Sequence, residues 1–397
     1  MVRPGVPAAA AAATDMAGRT LLRSLLLAGF LPGSLLQFAS AQVLPDDRFD
    51  VLYHFYDGGG QTIQGPSILA RKQIGASVSV SASYNVDSIS GASIDVVTQA
   101  SPYTETRREI GAGIDYLRNN TILSFNYTNS DENDYTANTF GLNISQEIFG
   151  GMTTVSMGYV RGFDEVGRSD NPDFSADIDR HSWRLGLTQV VTRNLIAEIA
   201  FETISDEGFL NLPYRQVRYV DPDSATGFSW EPEVYPNTRT SNAVALRSRL
   251  HLPYRGAVQT DYRYYEDTWG IKAHSAEVGY THGALDRWTF DVGYRYYRQS
   301  GADFFSDLFP FREAQNFRGR WKEISAFDSH ALRLGVSYEL LKERLGFVER
   351  SVIGLSFERI LYDYSDFRDV RVEAEPGDEP TYSFQANVMQ FMFSVWF

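Results

Sequence analysis

The chain has 397 residues, a formal net charge of −14, no cysteine, 43% apolar residues and 14% aromatics, with a mean hydropathy of −0.28. Without cysteine there are no disulfides, thiolate metal centres, covalent haem or lipid-modified N-terminal cysteine, and the acidity argues against a nucleic-acid partner. A membrane-spanning helix needs roughly 20 consecutive apolar residues, and no such run follows residue 41.

The first segment reads as an export signal. Arg19 and Arg23 supply positive charge, Leu21 to Phe38 an apolar stretch, and Ala39-Ser40-Ala41 a small-x-small cleavage pattern. Cleavage is expected between Ala41 and Gln42, making 1–41 a signal peptide and 42–397 the mature chain. The run Ala8 to Ala13 suits no such signal, so Met16 is expected as the true start. The competing reading, one N-terminal anchor helix, suffers from Pro32 and Gly33 inside an already short segment.

The mature chain then alternates. Val78, Val80, Ala82, Tyr84 and Val86 fall at every second position between Ser, Asn and Asp, which puts them on one face of a strand. The rhythm returns at Ile110 to Tyr116, Leu185 and Leu187, Trp288 to Tyr294 and Leu332 to Tyr338. Strands are predicted at 49–56, 67–74, 76–87, 105–117, 121–129, 135–148, 152–161 and 180–191. They continue at 195–204, 239–251, 257–265, 271–281, 287–298, 330–340, 351–363 and 382–397. That makes about 16, with 14 as the fallback if the first two serve as a plug or extension.

Turn residues mark short connections at Arg118-Asn119-Asn120, Phe149-Gly150-Gly151, Thr192-Arg193-Asn194, Pro253 to Gly256 and His282-Gly283-Ala284. Long polar segments lie between them at Ser88–Thr104, Gly162–Asp179, Ser205–Thr238, Gln299–Ser329 and Ser365–Pro380. Apolar residues at alternate positions, 23 Tyr, 26 Phe and 6 Trp for interfacial girdles, and short turns opposite long loops point to an all-β fold. The expected architecture is a transmembrane antiparallel up-and-down β-barrel, integral to a Gram-negative outer membrane and surrounded by its lipid. A large soluble β-sandwich fits less well, because so many apolar stripes end in aromatics. Met389, Phe391, Phe393, Val395 and Phe397 alternate to the terminus, resembling the signal read by the barrel assembly machinery. That would put Phe397 on the periplasmic side and the long segments outside.

If the apolar faces meet lipid, their alternates face a lumen. The candidates there are Arg107, Glu109, Arg184, Glu198, Glu202, Arg247, Arg249, Asp261, Arg263, Asp291 and Arg295. So many charges cannot be buried unpaired, so the lumen is either wet or filled by an ion-pair network. Arg247 and Arg249 are expected to form a positive stripe opposite Glu198 and Glu202, setting a transverse field across a pore; the competing expectation pairs Arg249 with Asp261. In the acidic loop, Asp164, Asp170, Asp173 and Asp177 are candidate Ca²⁺ ligands, although no recognised spacing is present and a solvated loop is the simpler reading. The six histidines show no catalytic arrangement in sequence, there is no G-x-S-x-G, H-E-x-x-H or P-loop motif, and no cofactor is indicated.

Several stretches go beyond a generic barrel: Asp87 to Ser93, Ser101 to Arg107, Asp131 to Tyr135, Asn211 to Arg215, Tyr235 to Arg239, Asp267 to Gly270 and Arg295 to Phe304. In this order they resemble the bacterial family catalogued as domain of unknown function number thirty-five-seventy. The resemblance implies an outer-membrane barrel without an established activity. It also implies an envelope redox setting, with a small lipoprotein or a periplasmic redox protein as partner. The expected function is a pore or conduit for a small solute or a partner protein, not an enzyme. The alternatives are a structural or adhesion barrel acting through its long loops and an outer-membrane hydrolase.

Overall fold

A computed structural model describes residues 43–91, 103–342 and 344–397. The expected signal segment, its Ala41/Gln42 junction and Met16 lie outside these residues. Strands β1 (Arg48–Gly58), β2 (Gln61–Ile74), β3 (Val78–Gly91), β4 (Tyr103–Arg118), β5 (Thr121–Asp131) and β6 (Tyr135–Ile148) follow in order. Next are β7 (Thr153–Gly167), β8 (Ser175–Thr192), β9 (Leu195–Gly208), β10 (Gln216–Val220), β11 (Phe228–Pro232) and β12 (Thr238–Leu252). The last are β13 (Gly256–Asp267), β14 (Lys272–Ala284), β15 (Trp288–Gln299), β16 (Phe327–Leu341), β17 (Arg350–Arg368) and β18 (Thr381–Trp396).

All but β10 and β11 form one closed antiparallel barrel in chain order, sealed where β1 pairs with β18. Both β1 and β2 take part, so the 16-stranded expectation holds. At the seam Val51 lies opposite Phe393 and Phe49 opposite Val395, so the alternating C-terminal residues complete the outer face. Closure leaves no unpaired strand edge, which a wall in hydrocarbon requires.

The predicted apolar stripes form the outer surface. Ile110 (58% exposed), Leu142 (58%), Leu185 (51%) and Leu334 (52%) all point outward with half or more of their surface uncovered. At one end the connections are mostly tight. Between the register partners Leu252 and Gly256 the chain turns in three residues, of which Tyr254 and Arg255 both have positive φ (66° and 64°), a conformation glycine usually supplies. At the other end the two longest connections among the described residues are 209–237 and 300–326, and the first contains the β10–β11 hairpin. No alternation long enough to reveal that hairpin exists in so short a segment. One predicted loop is mostly ladder: β7 runs to Gly167 and β8 starts at Ser175, leaving only 168–174 of Gly162–Asp179 as a connection.

Buried apolar residues gather inside the long-loop end. One cluster joins Tyr135, Val166 and Ile178 from the strand tops to Leu210, Tyr235, Trp269, Phe304 and Ile324 from the connections. The second covers the inner faces of β16, β17 and β18 with Phe327, Ile360, Tyr362, Phe367 and Tyr382.

Candidate functional site

The connection 209–237 lies at the long-loop mouth and is tied to its neighbours on two sides. On one side the Tyr214 hydroxyl donates to Asp134 in the β5–β6 turn (2.9 Å) and accepts from the Ser169 amide in the β7–β8 loop (2.6 Å). On the other, Arg218 is fully buried (0% exposed) and its guanidinium pairs with Asp307 of the 300–326 connection and Glu379 before β18. Arg320 pairs with the second Asp307 oxygen at 2.9 Å, and the Arg368 amide donates to that oxygen at 3.0 Å. The Arg320 amide donates to Glu233 at 2.7 Å. Two connections and the end of β17 thus meet on one carboxylate. Aromatic faces close the remaining space: the Arg215 guanidinium lies 3.5 Å from the Trp321 ring centroid and that of Arg320 4.6 Å from Phe367. In this dry knot, burial pushes the Glu379 carboxyl up, but hydrogen bonds and charge from Arg218 outweigh it and leave the carboxyl below its ordinary range. Burial also raises the Tyr214 hydroxyl, to about 12.

Beneath this lid the interior wall changes character. Along the inner face of β12, Ala243 and Ala245 are each 5% exposed, whereas the Arg247 side chain is 47% exposed. The Arg184 side chain on β8 is 64% exposed. Burial at the long-loop end therefore gives way to a solvated wall toward the tight-turn end.

The predicted lumen charges all point inward. Arg247 bonds both Asp261 (2.6 Å) and Glu198 (3.0 Å). Glu202 takes Arg184 (2.7 Å) and Arg263 (3.1 Å). Arg295 reaches Glu358 at 3.1 Å, Asp291 accepts from the Thr281 hydroxyl at 2.5 Å, and Arg107 lies 3.3 Å from Glu109. Arg249 is exposed on the same wall with no ion-pair partner among the described residues.

Two expectations fail here. Asp261 pairs with Arg247 instead of Arg249, because Arg247 is its direct register partner. Glu198 and Glu202 do not face the arginine stripe across the lumen: β9 is hydrogen-bonded to β12, with Arg247 opposite Glu198. The long excursion through β10 and β11 hides this adjacency in the sequence. The charges neutralise one another along the wall, so no transverse field of the expected kind arises from them.

The acidic-loop residues do not converge either. Asp164 points inward and takes the Tyr135 hydroxyl and Arg180, Asp170 is held by Arg168 (2.7 and 2.8 Å), and Asp173 and Asp177 are exposed. Strand alternation sends Asp164 and Asp177 to opposite faces. Among the described residues no three His, Asp or Glu side chains gather as a metal site.

One buried inward group was not foreseen. His54 Nε2 lies 2.8 Å from Asp87 Oδ1, both side chains being 4% exposed, and Arg107 Nε lies 3.5 Å from the other Asp87 oxygen. His54 on β1 reaches β3 because Gly65 on the intervening β2 has no side chain; a Cβ there would stand 1.7 Å from the Val86 carbonyl oxygen. Strand β1 carries aromatics on both faces, so alternation could not assign His54 to the interior. The lid ions were equally hidden, since nothing periodic links Arg218, Asp307, Arg320 and Glu379.

A family model described as "Protein of unknown function (DUF3570)" matches residues 94–340. The chain belongs to this family. Similar solved structures include the siderophore receptor PirA from Pseudomonas aeruginosa, at 10% identity and TM-score 0.41, covering 82% of this chain. The chain spans only 60% of that receptor's length. A bacterial polysaccharide outer membrane secretin matches at 8% identity and TM-score 0.48, covering 90% of this chain and 100% of its own. A loop-deletion mutant of OmpT, an outer membrane protein of Vibrio cholerae, matches at 9% identity and TM-score 0.42, covering 89% of this chain and 99% of its own. At such identities the likeness concerns the fold alone. No curated protein matches in sequence.

Proposed function

We propose that this family member is an outer-membrane conduit barrel with a lidded extracellular mouth and a charged lumen entered from the periplasm. The assignment of the tight-turn end to the periplasm follows from the position of the alternating C-terminal strand and from the asymmetry of the connections. The observation that carries the reading is the contrast along one wall: Ala243 and Ala245 nearer the long-loop end are buried while Arg247, further along β12, is half exposed. Paired charges on a wet wall are compatible with passage or lodging of a polar guest, because they hold water without presenting one sign. The knot ties three connections to one another through several ion pairs, and removing one partner while the rest stays buried costs about 3–5 kcal/mol. Entry of a periplasmic partner segment or a charged solute from below is therefore favoured over free diffusion from outside. The envelope redox partner implied by the family belongs to this reading. Planar-bilayer recording tests it: the wild type should conduct far less than an open barrel of 16 strands, and removal of lid contacts should raise conductance. Steady wild-type conductance at the open-pore level would end the proposal.

A histidine–tyrosine pair also invites the hydrolase reading, but no catalytic geometry supports it. Every Tyr–His hydrogen bond recorded, such as Tyr262 with His274, is on the outer face of the barrel.

A further inference from the structure

Four adjacent strands present one repeated unit on the outer face, at the edge of the apolar band nearest the long loops. In the first unit, the Tyr262 hydroxyl and His274 Nδ1 are 2.8 Å apart, and Tyr264 lies directly opposite His274 with ring centroids 5.1 Å apart. In the second, Tyr294 and His330 Nδ1 are 2.7 Å apart, with Tyr296 opposite His330, again at 5.1 Å. When the tyrosine donates to Nδ1, the imidazole proton sits on Nε2, free to donate away from the wall. Between the two units, Arg298 is the register partner of His274. Its side chain is 69% exposed and its Nε stands 3.6 Å from Asp328. Lys272, two residues before His274 on the same outward face, is also exposed and makes no ion pair among the described residues. Two carboxylates lie within the patch as register partners of its cations, Glu266 opposite Lys272 and Asp328 opposite Arg298. Glu266 accepts from Tyr264 (2.9 Å) and Asp328 from Tyr296 (2.9 Å). Below the patch on the same strands are Val278, Val292, Leu332 and Leu334, all exposed.

We propose that this patch of Lys272, His274, Arg298 and His330 binds the phosphorylated headgroup of an acylated glycolipid of the outer leaflet. Neighbouring strands are about 4.8 Å apart and alternate residues on one strand about 6.6 Å apart. At these spacings the long Lys272 and Arg298 side chains and the His274 ring are within reach of one bound phosphoryl group. Phosphate accepts the donors that these carboxylates leave free, the Lys272 ammonium, the Nε2 protons and the terminal nitrogens of Arg298, whose fork also matches it in geometry. The tyrosine rings offer flat apolar faces to sugar, and the aliphatic residues below offer a wall to acyl chains, a combination that only a lipid carrying both parts would use. The proposal rests on the orientation given above, with the long loops outside, but not on conduction through the lumen.

The test uses the full mature barrel in mild detergent, titrated in native mass spectrometry with a bis-phosphorylated acylated glucosamine disaccharide. Its dephosphorylated form, phosphatidylethanolamine and inorganic phosphate serve as comparisons. Retained adducts are expected with the phosphorylated glycolipid alone. The double variant Lys272→Gln/Arg298→Gln should weaken them by about tenfold or more, as loss of two charge-assisted contacts requires. Lys272→Arg/Arg298→Lys should keep most of the binding. Arg359→Gln, an outward arginine on β17 held by Asn387, should leave it unchanged. Equal retention by the double variant, equal binding of the dephosphorylated lipid or phosphatidylethanolamine, or binding of inorganic phosphate as tight as the lipid would overturn the proposal. So would dimers that require Lys272 and Arg298, since the patch would then belong to a second copy.

Discussion

Replacing Arg218 with methionine is the sharpest test of the lid. The side chain is fully buried, and its guanidinium is the charged partner recorded for Glu379. Asp307 would keep Arg320 (2.9 Å) and the Arg368 amide (3.0 Å), whereas Glu379 would keep backbone amides such as that of Gly377 at 2.9 Å but no cation among the described residues. The variant therefore strands chiefly one buried carboxylate. Losing one partner of a buried pair costs about 3–5 kcal/mol, and each 1.4 kcal/mol is a factor of about ten, so the lid should open about a hundredfold or more often. Adding Glu379→Gln removes the stranded charge and should restore much of the closure, giving a large coupling energy in the double-mutant cycle. The assay is single-channel conductance in planar bilayers, run beside proteolysis of the connection 209–237 in detergent. Arg218→Met should raise both open probability and cleavage, and the double variant should lower both again. A folded Arg218→Met protein with wild-type cleavage and conductance would refute the reasoning, because the knot would then not be what holds the lid.

Four other outcomes follow from the same structure. Glu379 is depressed in the folded protein, so its stabilising effect is present above its unfolded pKa of about 4.3 and lost as pH falls through the lower folded value. Tryptophan fluorescence of Trp230 and Trp321 should accordingly report lid loosening only below about pH 4.3, and a lid that loosens near neutrality would contradict this. Gly65→Ala must push β2 off Val86 and should lower the yield of the heat-modifiable folded band, at a cost of about 1–3 kcal/mol or more; Gly158→Ala, whose nearest neighbour is the Asn143 side chain at 3.3 Å, should be much milder. Leu334→Arg puts a charge on the outer band at about 2–4 kcal/mol, while Asn143→Arg adds one to the exposed inner wall, so insertion into vesicles should suffer in the first variant only. In a channel opened by Arg218→Met, Arg249→Ser should shift ion preference toward cations without unfolding, since Arg249 has no ion pair to lose; unchanged reversal potentials would show that ions do not pass this wall.

Much of the barrel was legible in the residues themselves. A strand wetted by lipid on one side and polar on the other must alternate with period 2, so Val78 to Val86 or Leu332 to Tyr338 declare both the strand and its outer face. The inward direction of Arg107, Arg184, Arg247 and Arg295 follows from the same parity. What parity cannot supply is distance between strands. Glu198 and Arg247 are adjacent only because 209–237 leaves the wall and returns beside β9, and no local pattern encodes that return. His54 needed β2 to place a glycine between it and Asp87. The lid needed Arg218, Asp307, Arg320 and Glu379, scattered over three connections, to meet in one dry space. Period and hydropathy are properties of neighbours along the chain and were fixed by the sequence alone. Ion pairing in a low-dielectric knot is a property of neighbours in space, so only the closed barrel, by bringing the ends of distant strands to one rim, decided which charges meet.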